Sequence, residues 1–156
     1  MDIQNKLRST LTFNGNPSWD DIQNNKYLDK VVKETLRLYT PVAAIARQTM
    51  FPFTFKGVYY PKYTQFFVPI QDFQVDADYK DPMVFNPDRE EISQLNVPFW
   101  LGNRACIGMQ LALVEFKTML AILVKNAEFT IKDKKVVRMN KTTQRPEPFK
   151  VDYKLI

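Results

Sequence analysis

The spacing of apolar residues predicts three helices in this chain. Apolar residues recur every three or four positions over residues 26–39, which predicts an amphipathic helix that Pro41 ends. Residues 3–9 have the pattern of the end of a helix. Residues 107–125 are apolar on most faces, so this helix should be buried on nearly all sides, under a cover larger than the chain contains.

Shorter elements are predicted between and after these helices. Ser18 should cap a short helical turn, and alternating aromatic residues predict strands at residues 51–59 and 62–69. Residues 71–97 are polar and turn-rich, which predicts an irregular loop. The tail predicts strands at residues 128–131, 136–139 and 150–155, with a turn at 133–135. The predicted class is therefore mainly α with small β-sheets (α+β), in one domain.

Composition narrows the possible chemistry. The 156 residues are 45% apolar and 25% charged, as in a soluble globular protein. The absence of histidine excludes a Ser-His-Asp triad and any His-ligated metal, and a single cysteine excludes an internal disulfide framework or a cysteine cluster. The net charge of +5 comes from scattered basic residues, which argues against a nucleic-acid partner. No apolar run is long enough to predict a membrane segment.

The surroundings of Cys106 favour a thiolate. Gly102 and Gly108 permit a tight backbone with positive φ, Arg104 adds a nearby cation, and the next helix should direct its N-terminal amides at the sulfur. Phe99 could shield the sulfur from water. A buried, inert thiol is the alternative, because most lone cysteines are structural.

Residues 99–108 carry a more specific signal. They match Phe-x-x-Gly-x-Arg-x-Cys-x-Gly at all five fixed positions, so the chain resembles the cytochrome P-450 superfamily of haem-thiolate proteins. The resemblance implies that Cys106 is the axial ligand of the iron of haem b, in a loop formed by Phe99, Gly102 and Gly108. It also implies that Arg104 and Arg47 bind the haem propionates. For Arg47 an ordinary surface arginine is the alternative.

Two upstream motifs extend the resemblance. Glu34 and Arg37 match the family's Glu-x-x-Arg pair, and Arg89 holds the arginine position of its Pro-Glu-Arg segment, here Pro-Asp-Arg. The family's structural triad would then be Glu34, Arg37 and Arg89, which locks the loop that supports the cysteine. Taken alone, Glu34 and Arg37 could be an ordinary ion pair on a helix surface.

The resemblance also suggests which residues face the substrate and where the chain departs from the family. Trp100 and Tyr63 both stand where glycine is usual. Glu90 replaces a phenylalanine, and the stretch from Arg89 to Cys106 is short. Small residues beside the pocket, with plain core packing as the alternative, and residues near the tip of the last hairpin would face the substrate: Val42, Ala43, Ala44, Ile45, Ala46, Thr142, Thr143 and Gln144.

The implied function is that of a haem-thiolate monooxygenase. Such an enzyme inserts one oxygen atom from O2 into a small apolar substrate, with electrons from a flavoprotein reductase or a ferredoxin. Residues 1–156 would form the C-terminal part of the fold, without the oxygen-activating helix, so no catalytic residue is expected here. The alternative is a non-catalytic, truncated or decayed remnant that binds little or no haem. A eukaryotic parent would belong to the endoplasmic reticulum membrane, although no anchor is present here.

Overall fold

The structure, a computed structural model, describes residues 2–76, 79–90, 96–133, 136–140 and 143–156. Within those ranges the helices are α1 (Ile3–Ser9), α2 (Trp19–Gln23), α3 (Lys26–Leu38), α4 (Ile70–Gln74) and α5 (Met109–Asn126). The strands are β1 (Ile45–Gln48), β2 (Phe53–Phe55), β3 (Val58–Tyr60), β4 (Gln65–Val68), β5 (Ala127–Ile131), β6 (Arg138–Asn140), β7 (Gln144–Pro146) and β8 (Val151–Leu155). The predicted class, mainly α with small β-sheets, is confirmed.

The apolar face of α3 forms the centre of the hydrophobic core. Leu28, Val31 and Val32 are buried there against side chains from α1, α2 and the C-terminal half of α5, including Ala121 and Val124. Helix α3 ends at Leu38, one residue before the predicted end, because the backbone of Tyr39 leaves the helical conformation. Leu36, in the last turn of α3, is partly buried and also packs against this core.

A capping box starts α2, as the sequence predicts. The Ser18 hydroxyl accepts a hydrogen bond from the Asp21 amide at 3.2 Å, and the Asp21 carboxylate accepts one from the Ser18 amide at 2.8 Å. These two bonds satisfy backbone donors that the first turn of a helix leaves free. The prediction of a cap at Ser18 is confirmed.

Polar side chains of α1 attach it to the C-terminal end of α5 and to β5. The Arg8 guanidinium donates to the carbonyls of Val124 and Ala127, both at 2.9 Å, and so caps the last turn of α5. The Gln4 amide group bonds both the N–H and the C=O of Phe129, at 2.8 and 3.2 Å. Helix α1 thereby takes the place of a neighbouring strand along one edge of β5.

The described residues form four antiparallel pairs of strands. Residues 51–59 were expected to form one strand, and this prediction is wrong. A turn at Lys56 and Gly57, both with positive φ (48° and 78°), divides the stretch into the hairpin β2–β3. Strand β4 pairs with β1, which places Arg47 opposite Phe66.

Two further predictions are corrected in the second half of the chain. Residues 71–97 were predicted to form an irregular loop, but residues 71–74 belong to helix α4. Strand β5 pairs with β8, and β6 begins at Arg138 and pairs with β7, so the tail forms two separate ribbons. Residues 134 and 135 of the predicted turn lie outside the described residues.

The exposure of α5 is the feature that differs most from the sequence prediction. The helix was predicted to be buried on nearly all sides, but its buried residues are Lys117, Ala121 and Val124 alone. Leu111 and Met119 are 65% and 63% exposed. The helices α1, α2 and α3 all pack on one side of α5, so its remaining apolar faces are uncovered in this chain.

None of the helices in the described part of the chain could span a membrane.

The turn before β4 generates a prediction about stability. The amide of Thr64 donates to the carbonyl of Pro61 at 3.3 Å, and Tyr63, at the third position of this turn, has φ of +70°. This position favours glycine, because a Cβ crowds the backbone there. Glycine at residue 63 relieves this crowding but has a higher conformational entropy in the unfolded chain. We expect the net effect of Tyr63→Gly to be a rise of about 1 kcal/mol in the free energy of unfolding, measured by urea denaturation.

Tyr59→Gly is the matched control for this prediction. Tyr59 is also an exposed tyrosine, but it lies in β3, where glycine relieves no positive φ and weakens the strand. This variant should be less stable than the unmodified chain. Equal destabilisation by the two substitutions would show that the turn carries no backbone strain.

Candidate cofactor-binding site

A buried ion pair near the end of α3 anchors the loops around the candidate site. Arg37 is fully buried and Glu34 is 4% exposed. The Arg37 guanidinium donates to both carboxylate oxygens of Glu34, at 2.8 and 2.9 Å, and to the carbonyl of Gln74 at 2.7 Å. This bidentate geometry and the burial exclude the alternative of an ordinary surface pair.

Arg89 completes a cluster with this pair, and we call Glu34, Arg37 and Arg89 the buried ion cluster. Arg89 Nη2 lies 3.5 Å from the Glu34 carboxylate, which also accepts the amide of Asn86 at 2.9 Å. The Tyr79 ring lies 5.1 and 5.7 Å from the guanidinium carbons of Arg37 and Arg89. The structure thus brings the three predicted residues together, and their support of the cysteine loop stays a prediction.

The environment of Glu34 keeps its carboxyl ionised. Burial raises the pKa of Glu34, but hydrogen bonds from Arg37 and Asn86, with the charges of Arg37 and Arg89, outweigh burial. The net result is a pKa of Glu34 below its ordinary value. The cluster therefore holds one carboxylate between two guanidinium groups.

The cysteine loop, residues 97–108, is shaped by a short series of backbone bonds. The amide of Trp100 donates to the carbonyl of Val97, and the amide of Cys106 donates to the carbonyl of Phe99, both at 2.9 Å. Trp100 and Gly102 take positive φ values of 65° and 69°, which turn the chain back toward α5. The expectation of positive φ at the glycines is thus met at Gly102.

Gly108 has a different role from the one predicted. Its φ is −84°, and it precedes the first residue of α5, which begins at Met109 rather than at 107. Any L-residue can adopt that conformation, so positive φ is no reason for glycine here. A Cβ at Gly108 would lie 3.8 Å from the Cys106 sulfur, an ordinary contact.

Four of the six predicted cofactor residues line one cavity of about 550 Å³, which we call the cysteine cavity, whereas Gly102 and Gly108 are not among its lining residues. Its walls are mostly apolar and come from α3, β1, the cysteine loop and α5. Phe99, Cys106, Arg104 and Arg47 all line it, although they come from two distant parts of the chain. A thiol and two guanidinium groups in an apolar cavity suit an apolar ligand that carries anionic groups and a metal able to bind sulfur.

The predicted substrate-facing residues are placed unevenly. Val42 and Ile45 line the cysteine cavity, whereas Ala43, Ala44 and Ala46 are not among its lining residues. Thr143 is exposed and also lies outside the lining, and Thr142 is outside the described residues. Gln144 reaches the same region by backbone contact, since its amide donates to the carbonyl of Pro41 at 2.7 Å.

Sequence reasoning missed several residues of the cavity wall. Some of them have a periodic signal. Leu113 and Phe116 are three residues apart on one face of α5, and Leu36 of α3 is three residues before Tyr39, which directly follows that helix. Trp100 also lines the cavity, although it was noted only as a departure from the family pattern. The carbonyls and amides that surround the buried ion cluster carry no side-chain signal, so no pattern could identify them.

Comparisons with known proteins give one consistent result. The model of the cytochrome P-450 family matches residues 2–153. Cytochrome P-450 3A17 of Cavia porcellus is 36% identical over 140 residues, which are 82% of this chain and 28% of that protein. Cytokinin hydroxylase of Arabidopsis thaliana is 32% identical over 136 residues, which are 83% of this chain and 26% of the relative.

A solved structure gives the same result at the level of fold. Retinoic acid-bound cyanobacterial CYP120A1 superimposes with a TM-score of 0.90 and 25% identity, covering 99% of this chain and 39% of that chain. The chain spans less than a third of the length of the curated relatives named above.

The buried ion cluster generates a prediction about stability and pH. The pKa of Glu34 is lowered in the folded chain, so its stabilising effect is complete above the unfolded value of about 4.3 and is lost as pH falls through the folded value. Glu34→Gln should lower the free energy of unfolding at neutral pH by about 3–5 kcal/mol, because two guanidinium groups lose their counter-ion. It should also flatten the fall in stability below about pH 4.3.

Asp88→Asn is the control for this prediction. Asp88 also pairs with a cation, Lys6, but both side chains are 40% or more exposed. Urea denaturation should therefore find a much smaller loss than for Glu34→Gln. Glu34→Asp keeps the charge and should be intermediate. A Glu34→Gln variant as stable as Asp88→Asn would contradict a structural role for the cluster.

Proposed function

Because this chain belongs to the cytochrome P-450 family and has the fold of its C-terminal portion, we propose that its cysteine cavity is the thiolate-side half of a haem site. Cys106 supplies the sulfur ligand of the iron, and Arg47 and Arg104 bind the propionates. The observation that carries this proposal is the convergence of these three residues on one apolar cavity. Members of the family are haem monooxygenases.

The residues of the cavity fit a haem. The macrocycle is flat and apolar, and the walls around Cys106 are mostly aliphatic and aromatic. The two propionates match two guanidinium groups in number and in charge. In the described part of the chain, no three side chains of the metal-binding types come together. A metal at Cys106 would therefore take its remaining ligands from a cofactor.

Each residue of the cavity has a separate proposed task. Cys106 would hold the iron through its sulfur, and a thiolate ligand would supply the electron density that favours cleavage of an O–O bond. Cys106 is exposed in this chain, and Phe99, which lines the same cavity, would shield its sulfur from water once the cofactor is bound. Arg104 and Arg47 would orient the cofactor through charge-assisted hydrogen bonds. When bound, the haem supplies the oxygen and electron chemistry, while this chain fixes its ligand and orientation.

For the whole protein we propose the insertion of one oxygen atom from O2 into a small apolar substrate. The name of one relative, cytokinin hydroxylase, supports this class of reaction, and the retinoic acid in CYP120A1 supports a largely apolar ligand. Electrons would come from a flavoprotein reductase or a ferredoxin. The net charge of +5 favours an acidic partner of this kind.

The thiolate ligand gives the first test of the proposal. Hemin is added to the purified full chain, which is reduced and treated with carbon monoxide, and a difference spectrum is recorded. We expect a Soret band at the wavelength from which the family takes its name, and Cys106→Ser should abolish it. Met109→Leu is the matched control, because it removes a nearby sulfur that is not the proposed ligand, and it should leave the band unchanged.

Two results would decide against the proposal. A Soret band of the same shape and position in Cys106→Ser would show that another group binds the iron. A chain that takes up no hemin would favour the alternative of a non-catalytic remnant of the family. A circular dichroism spectrum of each variant would establish that the compared chains are folded.

The propionate arginines give a second test. Arg47→Met and Arg104→Met should each weaken hemin binding by about tenfold, the loss of one charge-assisted hydrogen bond. Neither should weaken binding of hemin dimethyl ester, whose carboxylates are blocked. Absorbance titrations with both porphyrins measure these affinities. Arginines that act only on chain stability would weaken both ligands equally.

A further inference from the structure

Trp100 occupies a backbone conformation that its side chain disfavours. Its φ of +65° lies in the left-handed region, where a Cβ crowds the neighbouring carbonyl. Glycine at this position would remove that crowding, and Gly102 does so two residues later. A large aromatic residue at such a position therefore needs a compensating contact.

The contact of the Trp100 ring is with Arg47. The guanidinium carbon of Arg47 lies 5.1 Å from the centre of the ring, within the range of an attractive cation–π interaction. The Arg47 Nη1 also donates to the carbonyl of Ala46 at 2.8 Å. Both side chains line the cysteine cavity, so the ring restrains the guanidinium at the cavity wall.

We infer that Trp100 is a positioning residue, whose ring holds the Arg47 guanidinium where it binds an anionic group of the ligand. The inference rests on the proposed function, because that function makes the ligand a haem with two carboxylates. Tryptophan is the strongest aromatic partner for a guanidinium. A glycine here would relax the backbone but leave Arg47 with one fewer restraint on its long, flexible side chain.

The contact itself is tested without any ligand and without a change in the cysteine loop. Trp19→Phe leaves Trp100 as the single tryptophan, whose fluorescence then reports on its own surroundings. In this background Arg47→Met should change the emission intensity and maximum, and Arg47→Lys should change them less. Arg138→Met is the matched control, because Arg138 stacks on Tyr39 instead, at 4.6 Å. Identical spectra for Arg47→Met and Arg138→Met would overturn the inference.

The positioning role is tested with two porphyrins. Trp100→Leu keeps an apolar side chain but removes the ring, and it should weaken hemin binding by about two- to fivefold, the range of one such contact. Trp100→Leu should weaken binding of hemin dimethyl ester less than binding of hemin, because the ester lacks the carboxylate that Arg47 would bind. Trp100→Phe restores a ring and should recover part of the loss. The double variant Arg47→Met, Trp100→Leu should bind hemin no more weakly than Arg47→Met alone.

The outcomes separate this inference from the proposed function. Equal weakening of both porphyrins by Trp100→Leu would mean that the ring is only part of the wall, and the positioning role would be rejected. A full additional loss in the double variant would reject it as well. Failure of the unmodified chain to bind either porphyrin would reject the proposed function, and with it the role of Trp100 toward that ligand.

Discussion

The buried guanidinium of Arg37 is the constraint on which the arrangement of the loops depends. Its donors have a fixed planar geometry, and a charge removed from water must meet acceptors in that plane. Here the acceptors come from three separate segments. Glu34 is on the same helix, the carbonyl of Gln74 is at the end of α4, and the carbonyl of Val84 is in a later loop. These segments cannot separate without exposing an unmatched charge in the interior.

This constraint extends to the cysteine cavity through the backbone. Gln74 ends α4, and near the start of that helix the amide of Gln71 donates to the carbonyl of Ala43 at 3.0 Å. Ala43 leads directly into β1, which carries Arg47. The position of Arg47, one of the two proposed propionate-binding arginines, is thus linked to the buried ion cluster through α4 and the residues before β1. If Glu34 and Arg37 formed an exposed pair on the helix surface, they could not fix the position of β1 in this way.

The sequence predicted those features whose pattern lies within a few neighbouring residues. The period of the apolar residues located α3 to within one residue, and Ser18 and Asp21 identified the cap of α2, because both signals lie within a few positions. The pairing of β1 with β4 had no such signal, since it joins strands that are separated by a complete hairpin. Similarly, the acceptors around Arg37 are backbone carbonyls, which every residue has. The motif predicted the charged members of the cluster, and the fold supplied the rest.

The bonds between α1 and the C-terminal end of α5 join residues more than a hundred positions apart in the chain. Gln4 and Phe129 are separated by 125 residues, and Arg8 is separated from Val124 and Ala127 by 116 and 119. A contact of this kind closes a very long loop. The loss of chain entropy on closure opposes folding until the contact has formed and stabilises the structure. Helix α1 therefore cannot make these bonds before α5 and β5 have been synthesised. The core that α1 and α5 share is completed by contacts between distant parts of the chain, and helix formation alone cannot complete it.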